Sequence, residues 1–154
     1  MSNINFKNFM IVDLKKNDVL TFKGVDTFKD DNGNPISLKF KQISRAEAEE
    51  LRQKFTTKTP AVNAKGNYII TDGRIVNDIE VDYAKYTDAL IVETMVYPNL
   101  KDKELLDYYG VYAGTELLHI LFKGKDYDYV DKCAAQASDL LPVDESNLIN
   151  ELKN

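Results

Sequence analysis

Asn32-Gly33, set inside Lys29-Asp30-Asp31-Asn32-Gly33-Asn34-Pro35, is the strongest local constraint in the chain. It lies between two runs with strand character. Val19 to Phe28 alternates in part and is rich in Val, Phe and Thr. Ile36 to Ile43 alternates cleanly, with Ile36, Leu38, Phe40 and Gln42 on one face and Ser37, Lys39, Lys41 and Ile43 on the other. An Asn-Gly pair between such runs predicts a β-hairpin. The same segment superficially resembles a calcium loop but fails on register. With Gly33 at the sixth position, Phe28 and Lys39 fall where Asp and Glu are needed.

Downstream, Ser44-Arg45-Ala46-Glu47 is a capping box, which predicts a helix through about Lys54. Residues 56–66 are rich in breakers and read as a loop. Asn67 to Ile70 and Arg74 to Val76 flank Asp72-Gly73 and suggest a second small hairpin. The segment Asn3 to Leu14 carries no firm pattern.

The second half reads as helical. Ala84 to Tyr97 is apolar nearly all round in its later part, which predicts a central buried helix ended by Pro98. Asp102 is placed to cap Lys103 to Tyr109, and Gly110 to stop that helix. Further helices are expected over about Ala113 to Phe122, Tyr127 to Leu140 and Glu145 to Leu152. Strands first and a helical cluster after predict an α+β fold: an N-terminal β-hairpin or small antiparallel sheet followed by C-terminal helices. At 154 residues the expectation is one domain, 1–154, divided as 1–55, 56–81 and 82–154.

Composition narrows function by exclusion. With 44% hydrophobic and 29% charged residues the chain reads as globular, not disordered. It offers no apolar run of signal-peptide or membrane-span length, and Cys133 is its one cysteine, so a cytoplasmic location is the simplest expectation. Net charge is −5, and residues 126–154 hold seven acids against Lys132 and Lys153. That end disfavours nucleic acid as a partner and reads as a solvated acidic face.

Candidate chemistry is sparse. His119 is the single histidine and sits between Leu118 and Ile120, where a partly buried helix histidine is expected. One His and one Cys fall short of a zinc site or a catalytic triad. Cys133 is expected to be buried and inert, with slight activation by Lys132 as the alternative. No phosphate-binding glycine motif is present. Asp78, Glu80 and Asp82 read as the acidic start of a helix, with acid–base work or magnesium binding as the alternative. Leu105 to Phe122 has a helix-turn-helix outline, but its second helix shows Thr115, Glu116 and His119 where Arg, Lys, Asn or Gln would be expected near the start, with Lys123 only at the end. No catalytic, cofactor-binding or metal-binding residue is assigned.

Tyr97, Tyr108, Tyr109, Tyr112, Tyr127 and Tyr129 fall close together. Tyrosine suits surfaces where one end of the ring is buried and the other wet. These rings are either a protein interface or the rim of the helical core.

The stretch Val96-Tyr97-Pro98-Asn99-Leu100, then Lys103 to Val111, Gly114 to Leu118 and Leu121 to Tyr127, resembles the XkdN-like family of phage tail assembly chaperones from phages and prophages of Gram-positive bacteria. Phe28-Lys29-Asp30, Gly33-Asn34-Pro35, Ile43-Ser44 and Glu50-Leu51-Arg52 follow in family order. The resemblance implies a non-enzymatic protein that binds the tape measure protein, keeps its hydrophobic helices soluble and helps bring tail tube subunits to it. It also implies absence from the finished virion and, for many members, a frameshifted longer form. A partner groove is then expected around Tyr97, Leu105, Tyr108, Tyr109, Val111 and Tyr112, where a helical cluster offers an apolar surface ringed by acids. Neither nucleic acid nor membrane is expected as a partner, and a homo-oligomer is compatible with the sequence. A structural head–tail or tail tube component and an enzyme built on clustered carboxylates are the competing readings.

Overall fold

The Asp30 carboxylate organises the first turn. Its Oδ1 accepts from the backbone N–H groups of Asn32 and Asn34, both at 2.9 Å, and Lys29 bridges Pro35 across the turn. The strands it joins are shorter than their sequence runs. In the computed structural model, which describes residues 6–10 and 18–138, β1 is Val19–Phe22 and β2 is Leu38–Lys41. They pair antiparallel with Val19 opposite Lys41 and Phe22 opposite Leu38. Beyond Phe22 the two segments approach closely at Gly24. A Cβ built on Gly24 would lie 1.9 Å from the Ile36 carbonyl oxygen, so only glycine fits there. The predicted alternation holds across β2, where Leu38 and Phe40 are buried and Lys39 is exposed. It breaks at Ile43, which lies past the strand end and is buried, its N–H donating to the Ala137 carbonyl.

The capping box forms as expected: Ser44 Oγ accepts from Glu47 N–H at 3.1 Å and opens α1, Arg45–Gln53. The next segment corrects the sequence expectation. Residues 56–60 are not loop but strand β3, Thr56–Pro60, paired antiparallel with β6, Asn77–Val81. Three β-branched threonines favour the extended backbone, and Pro60 is tolerated because it sits at the strand's end. At the far end of this ribbon, β4 (Ile70–Thr71) and β5 (Arg74–Ile75) form the small hairpin expected around Asp72-Gly73. Both turn residues have positive φ, the geometry of a type I′ turn. Asp78 and Glu80 therefore lie on a strand, not at a helix start. Only Asp82 keeps the expected role, its Oδ1 accepting from Lys85 N–H at 3.1 Å at the start of α2, Tyr83–Thr94.

α2 is the hub of the helical half. Leu90, Ile91 and Val92 are all buried, and the helix packs against α1, α4 and α5. The predicted helix to Tyr97 stops early. After Thr94 the chain extends as β7, Met95–Tyr97, and joins β2 as the third strand, giving the order β1-β2-β7. The buried Thr94 hydroxyl donates back to the Leu90 carbonyl at 2.7 Å, and pairing with a strand more than fifty residues away decides the conformation of Met95 and Val96.

Three further helices complete the cluster: α3 (Lys103–Tyr109), α4 (Gly114–Leu121) and α5 (Lys125–Ala137). Asp102 caps α3 through Leu105 N–H, and Gly110 ends it in the left-handed conformation at φ +69°. The expected extension of α5 to Leu140 and the helix at Glu145 to Leu152 lie outside the described residues. So does most of Asn3 to Leu14, of which Phe6–Phe9 forms one 3-10 turn.

The core runs between sheet and helices. Phe22 and Phe40 meet edge to face at 5.6 Å, and Leu100, Leu117, Leu118, Phe122 and Val130 are fully buried around them. Each such side chain contributes ~1.5–3 kcal/mol by leaving water. Two long-range hydrogen bonds fasten α5 to the segment after β1: Tyr129 to the Lys23 carbonyl at 2.6 Å, and Thr27 to Asp126 at 2.9 Å.

Candidate functional site: an aromatic cleft at the β7–α3 junction

The turn between β7 and α3 builds a cleft. The Tyr97-Pro98 peptide at the end of β7 is cis. Asn99 then braces the corner, its side chain accepting from Lys101 N–H at 3.0 Å and its carbonyl from Asp102 N–H at 3.1 Å. Asp102 starts α3, and the helical spacing of Leu105 and Tyr108 places both on the face that looks back at Tyr97. The result is an open cleft of about 450 Å³ lined by Tyr97, Pro98, Asn99, Asp102, Glu104, Leu105 and Tyr108. Its lining is predominantly apolar, with two carboxylates at the edge.

A smaller pocket of about 180 Å³ adjoins it. Tyr97, Pro98 and Leu105 line both, so they form the shared wall. The rest of the smaller pocket comes from the segment around β1 and β2 (Val25, Phe28, Ile36 and Leu38) and from Tyr109, Leu121 and Phe122. The two halves of the chain thus meet at the smaller pocket.

Of the six residues named from the sequence, the structure brings four together. Tyr97, Leu105 and Tyr108 line the larger cleft, and Tyr109 lines the smaller pocket. Tyr108 is 81% exposed, and its ring meets that of Tyr109 edge to face at 5.0 Å. Val111 packs against the core, and Tyr112 is 95% exposed; neither lines either pocket. Pro98, Asn99, Asp102 and Glu104 were missed as lining, although the aromatic-Pro-Asn-Leu turn was their signal. Val25, Phe28, Ile36 and Leu38 had no such signal, since only the tertiary fold carries them there.

The remaining candidates for chemistry are engaged in local packing, hydrogen bonds and ion pairs. His119 is not partly buried but exposed, because it projects from α4 toward the α2 surface. Its Nε2 lies 2.7 Å from Asp88 Oδ2, and its ring stacks on Tyr127 at 5.2 Å. Tyr127 donates to the other Asp88 oxygen at 2.6 Å. Burial, then the hydrogen bond to Asp88 and its charge, push the Tyr127 hydroxyl pKa upward. Burial also raises Tyr129, with Cys133 beside it. Cys133 itself is buried, and that burial pushes its thiol up to about 12, opposite to an activated nucleophile. Asp131 is raised by burial and by Asp128 and Asp88. Glu93 is lowered, chiefly by its 2.8 Å hydrogen bond from Lys101. Among the described residues no three His, Cys, Asp or Glu side chains are grouped to hold a metal, and no helix is long and apolar enough to cross a membrane.

Comparison with known proteins agrees with this architecture. The crystal structure of YqbN superposes with a TM-score of 0.64 at 21% identity, covering 90% of this chain and 98% of that one, which establishes a shared fold. YqbN of Bacillus subtilis (strain 168), described as an uncharacterized protein, is 34% identical over 101 residues, or 65% of this chain. That match spans 60% of the relative's own length. The family model described as phage XkdN-like tail assembly chaperone protein (TAC) matches residues 6–152. On that near-complete match, the chain belongs to the XkdN-like family of phage tail assembly chaperones.

Proposed function

We propose that this chaperone acts without catalysis, by holding an apolar helical segment of the tape measure protein in the Tyr97–Leu105–Tyr108 cleft. The observation that carries this is the cleft itself: an open, mostly apolar surface walled by two exposed tyrosines, with Asp102 and Glu104 on its rim. A helix laid in such a groove buries its apolar stripe while tyrosine hydroxyls and carboxylates stay in water. The rim charges favour a partner with basic flanks and keep the complex soluble. Delivery of tail tube subunits to the bound tape measure, and a site of action in the host cytoplasm, complete the proposed role.

Coexpression with the tape measure protein tests the site. Wild type is expected to keep that protein in the soluble fraction, and the Tyr108→Ala/Tyr109→Ala double variant, folded by circular dichroism, to lose this. A folded double variant that solubilises the tape measure as well as wild type sinks the proposed site. Mass spectrometry of purified particles tests the role: presence of the chain at stoichiometric level would make it a virion component instead.

A further inference from the structure

From Thr57 to Glu80 every residue is exposed except Ala61. The β3–β6 ribbon and its tip therefore stand away from the core. A lone two-stranded ribbon is marginal in water. Val62, Tyr68, Ile70 and Ile79 are each more than half exposed on this ribbon.

The two outer edges of the ribbon are not equivalent. Asp82 N–H donates to the Phe55 carbonyl and Ala61 N–H to the Val76 carbonyl, which fixes the hydrogen-bonded pairs at one residue in two. Residues 57, 59, 78 and 80 accordingly turn their backbone groups inward. Asn77, Ile79 and Val81 turn theirs outward on the β6 edge, and Thr56, Lys58 and Pro60 do so on the β3 edge. Pro60 has no N–H, so the β3 edge is blunted. The β6 edge is open.

Side chains then specify the occupant. Asp78 and Glu80 project from one face of β6, opposite Thr59 and Thr57, while Ile79 projects from the other. A second copy of β6 pairing antiparallel here sets acid against acid in every register that aligns the free N–H groups, which disfavours self-association. We propose that the β6 edge is a strand-addition site for an extended partner segment with Lys or Arg flanking a β-branched residue. The basic pair meets Asp78 and Glu80, and the central residue exchanges backbone hydrogen bonds with Ile79. This site is independent of the Tyr97–Tyr108 cleft.

The probe is a synthetic peptide of about nine residues, a strand's length, with Lys and Arg flanking a central valine. Added to the 15N-labelled full chain, it is expected to shift and protect the amides of Asn77, Ile79 and Val81 and to leave Tyr97–Tyr109 unmoved. Ile79→Pro removes only an outward N–H, as Pro60 does on the other edge, so the ribbon stays paired while peptide affinity drops about tenfold or more. Asp78→Lys/Glu80→Lys is expected to reverse the preference toward a peptide with Glu in place of Lys and Arg. Shifts confined to the cleft, full binding by Ile79→Pro, or unchanged preference in the double charge variant would each overturn the site. So would a wild-type dimer that Ile79→Pro dissociates.

Discussion

Asp88 on α2 is held by two side chains at once: Tyr127 donates to its Oδ1 at 2.6 Å, and His119 Nε2 lies 2.7 Å from its Oδ2. One carboxylate thus joins α2, α4 and α5 at the surface of the helical cluster. A hydrogen bond to a charged group is worth ~1.5–3 kcal/mol, and partial exposure puts this one at the low end. Tyr127→Phe is expected to cost about 1.5 kcal/mol by urea denaturation. Asp88→Ala should cost more, because it leaves the half-buried Tyr127 hydroxyl without its acceptor. Additive effects in the Asp88→Ala/Tyr127→Phe double variant would show that the two groups do not interact.

Stability should fall in alkali. Cys133, Tyr127 and Tyr129 all have pKa values raised in the fold, from ordinary values of 9.0 for the thiol and 10.0 for the phenols. Below those values the groups are neutral in both states. Above them the unfolded chain loses protons that the folded chain retains, so the stabilisation disappears as pH rises. Thermal melting is expected to be flat up to about pH 9 and to drop steadily beyond it. Replacing Tyr127 and Tyr129 by Phe should flatten the drop.

Cys133 should ignore aqueous thiol reagents in the native protein, since burial both hides it and suppresses its thiolate. In denaturant it should react at the rate of a free cysteine. Fast labelling of the native chain would mean that α5 opens readily.

Gly24→Ala and Gly110→Ala should differ sharply. The first drives a methyl group into the Ile36 carbonyl and is expected to cost about 3 kcal/mol, the upper range for overpacking, or to prevent folding. The second meets open space and suffers only the left-handed backbone cost, ~1–2 kcal/mol. Paired thermal melts check the order.

Tyr112 lines neither pocket and is almost fully exposed. Tyr112→Ala should change stability by less than about 0.5 kcal/mol. On the proposed cleft it should also leave tape measure solubilisation intact, unlike loss of Tyr108.

What could be read from the sequence was what a few neighbouring residues decide. The Asp30 turn, the Ser44 and Asp102 caps and the Gly110 stop are all closed by hydrogen bonds spanning five residues or fewer. Strands β3 and β7 carry no local signature because their partners, β6 and β2, are distant in the chain and their own segments contain or abut proline. The same limit applied to the cleft. Tyr97, Leu105, Tyr108 and Tyr109 were recognisable as amphipathic residues near one turn. The adjoining pocket lined by Val25, Phe28, Ile36 and Leu38 depends on β7 docking beside β2, and no local pattern encodes that.

The ribbon leaves the body at Phe55 and returns at Asp82, and those two residues are hydrogen-bonded to each other at 2.9 Å. Its ends therefore already touch. An excursion closed at its base in this way can lengthen, shorten or change its surface without altering the path of the chain through the core. The ribbon is thus an appendage on a closed base, set apart from the path of the chain through the core.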